Sequence, residues 1–415
     1  MAESSPTPTA VATSQEQKKQ GGRSVLLGAL FLMATSAIGP GFITQTGQFT
    51  AQLGAAFAFA ILISILIDIA VQLNVWRIIG VSGMKAQNLS NSVLPGLGLF
   101  LAILVALGGF VFNVGNVAGG GLGFNAMLGM DATTGGIVTA VLAILVFLSK
   151  KAGVALDKIV VVLGVIMIVA TAYVAVISNP PVGDAFKNMV LPETVDFAVI
   201  TTLVGGTVGG YITYAGAHRM IDAGVKGPEY VKDIANSSVT GVIVTGVMRF
   251  LLFLAILGVV AGGATFAKDS SIAAQAFGIA AGEIGTRLFG VILWGASISS
   301  VIGAAYTSVS FLTSEKTSIV VKNSLTVAFI VASTLVFVFL GKTPATLLIV
   351  AGAVNGLILP VGLAALLIAA TFLGKKLLHG YKYPMWLLII GWLSWILTVY
   401  LGIMSLSGIA KLWEG

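Results

Sequence analysis

Eleven long apolar runs, separated by short polar connections, leave this chain few ways to fold. They cover 24–50, 54–78, 95–120, 134–150, 157–178, 196–222, 237–264, 283–311, 318–341, 344–372 and 381–407. A helix of about 20 such residues crosses a hydrocarbon layer of roughly 30 Å, and in lipid a helix satisfies its own backbone hydrogen bonds. An all-α polytopic membrane protein follows, with the lipid bilayer as its first partner. Charged residues are only 9% of the 415, so no soluble domain is left over.

The net charge of +7 is a topology signal, not a sign of nucleic-acid binding. With the N-terminus inside, sixteen Lys and Arg fall on cytoplasmic segments and four on outer ones, which predicts an N-inside, C-outside chain in a prokaryotic inner membrane. Residues 1–23, rich in Ser, Thr, Pro and Gln, lack the apolar stretch of a cleaved signal and are expected to form a disordered cytoplasmic tail. There are no cysteines, which removes disulfides and thiolate sites. No phosphate loop, nucleophile elbow or pair of catalytic carboxylates is present. The chain therefore reads as neither an enzyme nor an ATP-driven pump, and no cofactor is implied.

Two of the apolar runs contain residues that a helix interior rejects. The first holds Gly39-Pro40-Gly41 and the sixth holds Gly205, Gly206, Gly209 and Gly210. Proline removes a backbone donor and clashes with the preceding turn, and each glycine costs about 1 kcal/mol against alanine. Both helices are expected to be unwound there. Segments one and six are five apart, so they enter the membrane from opposite sides, as in an inverted repeat with its substrate between the two breaks. The expected units are a first five-helix repeat at 24–178, an outer loop at 179–195, a second repeat at 196–372, and an added helix with the C-terminus at 373–415. Gly119, Gly120 and Gly121 in the third run read instead as a close-packing surface.

Several stretches resemble the NRAMP divalent-metal transporters: "GPGFITQTGQFTAQLGA", "VQLNVWRIIGVSGM", "NVGNVAGGGLGFNAMLGM" and "LLIVAGAVNGLILPVGL". The resemblance runs from about residue 24 to 372 and implies a LeuT-like fold of ten helices in two inverted halves plus one. It also implies where a site would be, and there the chain departs from the family. The family's first helix reads Asp-Pro-Gly-Asn and holds the metal with the aspartate and asparagine, whereas Gly39 and Phe42 stand here around Pro40 and Gly41. The family's sixth helix reads Met-Pro-His, and this chain has Gly209, Gly210 and Tyr211. On its third helix the family's proton path carries an aspartate and a glutamate, replaced by Asn113 and Asn116.

What remains at the breaks is neutral: backbone carbonyls, Thr44, Gln45, Thr207 and Tyr211. Such a set gives a transition metal little affinity, although a largely hydrated Mg²⁺ or Mn²⁺ is compatible with it. An anion fits better, because helix ends starting at the breaks aim free N–H groups inward and glycines allow close approach. Gly206, Thr207, Gly209 and Gly210 are expected to cradle a carboxylate with Thr44, Tyr211 and Tyr214 adding hydroxyls, and Phe42 to cover the solute's apolar part. Replacing Gly210 by leucine should then fill the cavity and leave folding near normal.

Asp68 and Arg249 are costly in lipid and are expected to pair or to act in coupling and gating, together with Asn113 and Asn116. Glu283 and Arg287, four apart, read as a helical salt bridge at a membrane edge. His218 and His379 are expected to be solvated at cytoplasmic ends, and residues 215–234 to form an interfacial helix or gate. The reading is a secondary transporter of a small carboxylate-bearing solute, without the family's proton route and open to sodium coupling. Transport of a hydrated divalent cation, and a non-transporting receptor or scaffold, are the alternatives.

Overall fold

The computed structural model describes residues 37–267, 270–314 and 316–414. Among them every regular element is helical. The first part of the first apolar run, 24–36, and the tail before it lie outside the described residues. The helices are α1 (Pro40–Leu53), α2 (Phe57–Ser82), α3 (Ala86–Val93), α4 (Leu97–Leu128), α5 (Ala132–Leu148), α6 (Lys150–Ile177), α7 (Val182–Val190) and α8 (Phe197–Thr207). They continue as α9 (Ile212–Asp222), α10 (Val231–Ala261), α11 (Ile272–Leu312), α12 (Ile319–Leu340), α13 (Pro344–Phe372), α14 (Gly374–Leu377) and α15 (Met385–Glu414).

Local chemistry sets many of these boundaries. Asp131, Asp196, Ser271, Ser318 and Thr343 precede α5, α8, α11, α12 and α13, each accepting a hydrogen bond from a first-turn amide. The Thr134 amide holds the exposed Asp131 carboxyl below its ordinary range. Left-handed glycines, Gly83, Gly129 and Gly341, close α2, α4 and α12.

Three boundaries differ from the sequence expectation. The eighth run begins earlier, at Ile272, and Gly282 (φ 69°) kinks α11 where the apolar run was expected to start. The connection 179–195 is not a plain loop. It contains α7, an amphipathic helix bent 107° from α6, with Asp184 in its first turn, Lys187 in its last and Ala185 and Asn188 buried. Nor do residues 215–234 form a separate interfacial helix: α9 runs on to Asp222, a short 3₁₀ turn covers Pro228–Tyr230, and α10 begins at Val231.

In the packing, α4 lies along α11, α8 along α13 and α2 along α10. The broken pair α8 and α9 is the most enclosed span, 94% buried along its apolar window, against 22% for α12. Exposed Leu, Ile and Val side chains of α4, α6, α12 and α15 face outward, as they do when the surroundings are lipid. The eleventh run, α15, packs on α13, α8 and α2.

Polar ties fasten α9 to α2. Trp76 Nε1 donates to the Thr213 carbonyl (2.9 Å), and the Thr213 hydroxyl donates to Gln72 Oε1 (2.7 Å). Lys85, just beyond α2, pairs with Asp222 at 3.0 Å. His218 Nε2 accepts from the Ala86 amide at 3.2 Å. His218 is therefore buried at 3% exposure, contrary to the expectation of a solvated ring, because it caps α3 and stacks on Phe311. His379 is exposed, and Glu283 and Arg287 form the expected exposed pair.

Candidate functional site

The first break is a helix start. Ala37 is helical, Ile38 and Gly39 bend, and Gly39 is extended (φ −85°, ψ −174°) before Pro40 opens α1. Proline is tolerated in a first turn, where its missing N–H has no partner to lose. Pro40 packs against Gly119 of α4, where a β-carbon would overlap the proline ring. This close contact is what the small-residue surface of the third run provides.

The second break separates α8 from α9 over four residues, Val208 to Tyr211. Gly210 has φ +52°, a left-handed conformation that costs other residues about 1–2 kcal/mol. A β-carbon on Gly210 would overlap the side-chain oxygen of Asn355 on α13. The expectation that Gly210→Leu folds normally is thus corrected: position 210 is filled by a neighbour.

Around these breaks lie buried polar atoms with no hydrogen-bond partner: Thr44 Oγ1, Gln45 Oε1, Asn116 Nδ2, Tyr211 Oη and Asn355 Oδ1. Gln45 spans three helices. Its Nε2 donates to the Leu348 carbonyl of α13 (3.3 Å), and its side chain sits against Gly206 of α8. Asn355 donates to the Gly108 and Ala351 carbonyls at 3.0 and 2.8 Å. Sequence reasoning passed over Asn355, a lone amide in the middle of "AGAVNGLIL".

Arg249 of α10 joins the two breaks. Its Nη1 donates to Thr207 Oγ1 at the end of α8 (3.1 Å), and its guanidinium carbon lies 4.3 Å from the centre of the Phe42 ring of α1, within cation–π range. Nε and Nη2 have no partner, and the residue is 2% exposed. Asp68 of α2, 1% exposed, acts on Arg249 electrostatically and lies beside the Thr207 hydroxyl. Its Oδ1 is also unpartnered. Ion pairs within contact distance among the described residues are Lys85–Asp222 and Glu283–Arg287; Asp68 and Arg249 stand farther apart.

Gly39, Pro40, Gly41, Phe42, Thr44, Gln45, Gly206, Thr207, Gly209, Gly210, Tyr211, Asn116, Asp68 and Arg249 thus gather at or beside the breaks. Two expected residues lie apart. Asn113 turns to α12, donating to Ser333 Oγ at 2.9 Å. Tyr214 packs on Gly362, Phe311 and His218. Phe311 also lines a cavity of about 490 Å³ that includes Lys85, Gln87, Asn91 and Lys316, so Tyr214 packs against a wall residue of that cavity. Among the described residues, no three His, Cys, Asp or Glu side chains gather as a metal group.

The model of the natural resistance-associated macrophage protein-like family matches residues 30–408. An uncharacterized membrane protein of Bacillus subtilis (strain 168), YcsG, is 52% identical over 400 residues, covering 96% of this chain and 98% of the relative. An uncharacterized membrane protein of Haemophilus influenzae is 49% identical over 380 residues, 91% and 95% of the two chains. Among solved structures, the manganese transporter of Eremococcus coleocola superposes with a TM-score of 0.70 at 16% identity, over 94% of this chain and 87% of that one. MhsT in complex with L-phenylalanine gives 0.64 at 17% identity, over 91% and 98%. The fold is therefore the LeuT-like arrangement.

Proposed function

We propose that this chain, which belongs to the natural resistance-associated macrophage protein-like family of membrane transporters, is a secondary transporter of a small organic solute bearing a carboxylate. One observation carries the reading: a buried arginine between the two breaks, held over Phe42 and on Thr207, with Nε and Nη2 free. A guanidinium with two unused donors matches a carboxylate in charge and planar geometry. The same charge opposes a bare cation in a low-dielectric cavity. L-phenylalanine, the ligand of a neighbour with this fold, carries a carboxylate.

In this reading the solute lies where Phe42, Thr44, Gln45, Thr207 and Tyr211 converge, with backbone access at Gly39 and Gly41 beside Pro40, while Gly206, Gly209 and Gly210 are packed against Gln45, Gly205 and Asn355 and shape the wall behind it. The two five-helix halves, 24–178 and 196–372, flank it. The chain sits in a bacterial inner membrane with its N-terminus inside, supported by the asymmetry of Lys and Arg between the two sides.

Calorimetric titration of the purified protein with magnesium, manganese and a panel of short carboxylic acids tests the proposal. Saturable heat from an acid, undisturbed by either metal, is expected. Binding of magnesium or manganese at low millimolar levels with no acid competing makes the solute a hydrated cation instead. Acid binding without flux in proteoliposomes makes the chain a receptor.

A further inference from the structure

Asp68 and Arg249 form an unfinished pair. Helix α2 brings the carboxylate and α10 the guanidinium to one hydroxyl, that of Thr207, which itself donates to the Leu203 carbonyl at 2.9 Å. Neither charge is completed: Asp68 Oδ1 and Arg249 Nε and Nη2 are buried and without hydrogen-bond partners. A buried carboxylate either faces a counter-charge or takes up a proton.

The helices packed against α2 bring no other charge to Asp68. α1, α8 and α13 carry no Asp, Glu, His, Lys or Arg. Asp184 and Lys187 of α7 are exposed, as is Glu229 on the 3₁₀ turn before α10, where Tyr230 is half-buried. Tyr214, His218, Arg219 and Asp222 of α9 lie at the Lys85 end of α2. Lys232 and Asp233 are sixteen or more residues before Arg249, about 24 Å along α10. On α15, Tyr400, Lys411 and Glu414 lie on the far half of that helix. Arg77 is nine residues farther along α2, about 14 Å. Arg249 is the charge that acts on Asp68.

We propose that Asp68 is the proton-carrying group of the transport cycle, taking up one proton when the solute's carboxylate engages Arg249 and releasing it when the solute leaves. The inference rests on the carboxylate reading above. A solute carboxylate on Nε and Nη2 neutralises the guanidinium, and Asp68 loses its counter-charge. Water on the entry side supplies a proton, one O–H bond forms on Asp68, and the same bond breaks as the proton passes to water on the exit side. One anion and one proton move together, with no net charge. The site is distinct from Asn113 and Asn116, whose amides do not titrate.

Infrared difference spectra of the full-length protein in lipid, recorded along a pH titration, test this. A protonated-acid carbonyl band is expected in the native protein, absent in Asp68→Asn and restored in Asp68→Glu. In Arg249→Gln its midpoint should move to higher pH by about one unit, a tenfold gain in proton affinity. Native protein and Arg249→Gln carry the comparison even if Asp68→Asn folds poorly. Acetate, L-lactate and succinate are then added to native protein held above the midpoint, and the one that binds should raise the band. A band indifferent to both Asp68 and Arg249 overturns the proposal. So does acid binding without proton uptake, with flux that requires sodium, although the carboxylate reading then stands. If the band follows Asp68 and Arg249 but no acid binds, the proton site stands and the carboxylate reading fails.

Discussion

The two breaks solve the same problem in opposite ways. At the first, proline starts a helix cleanly and the neighbours leave room: a β-carbon on Gly41 would meet Phe112, Gln45 and Leu348 at ordinary distances of 3.6–3.8 Å. At the second, Gly210 is held in a left-handed conformation against Asn355, and Gly206 against Gln45, with no spare volume. Glycine thus has two meanings in one site. Around residue 41 it leaves room for a methyl group, and around residue 210 it is required by the fold.

The largest effect should therefore follow Gly210→Ala. The backbone term alone costs about 1–2 kcal/mol, and overlap with Asn355 adds to it. Thermal melting in detergent should show a clearly lowered Tm, only partly recovered in Gly210→Ala/Asn355→Ala because the backbone term remains. Full recovery would mean that the crowding, not the conformation, fixes this position.

Arg249→Gln comes next, since it cuts the link between the breaks. A charge-assisted hydrogen bond contributes about 1.5–3 kcal/mol, so affinity for a bound acid should fall about tenfold to a hundredfold, and less for its uncharged amide. Calorimetry on both compounds reads the difference. Equal losses would make Arg249 a structural partner of Asp68, and Asp68→Asn should then restore stability in the double variant.

Gly39→Asp should have a milder, two-signed effect. Gly39 is extended, so a side chain brings no backbone strain, and aspartate is a favourable N-cap for α1. A carboxylate there should strengthen manganese binding and weaken that of an acid. Titrations that move in the same direction for both would contradict an anion site. The smallest change is expected from Gly41→Ala. Alanine improves helix propensity by about 1 kcal/mol, so Tm should hold or rise while acid affinity drops modestly. A Tm loss as large as that of Gly210→Ala would erase the contrast between the breaks.

Much of the fold was legible because lipid imposes a coarse rule. A helix crossing a bilayer needs a long apolar run, so the described helices fall close to the expected segments. What escaped were features that lipid does not dictate. α7 is only nine residues long and amphipathic, and it reads as loop wherever hydropathy is the guide. His218 sits near a helix end, where position suggested solvent. Its burial depends on the Ala86 amide, 132 residues away. At the site, Pro40 and the glycines announced the breaks, and Asp68 and Arg249 stood out as charges in apolar runs. Asn355 did not, because a single amide gives no hint in sequence of which backbone it will meet.

The ties on α9 have a mechanical consequence. Trp76, Gln72 and Lys85 bind it to α2, whereas α8, from the same membrane crossing, beds on α13. The four residues between them, Val208 to Tyr211, thus join two arms with different attachments: α9 is tied to α2 by polar side-chain bonds, whereas α8 packs on both α13 and α2. A swing of α9 about Gly210 has to stretch or carry those ties, while Asp68 and Thr207 stay on helices that pack on each other.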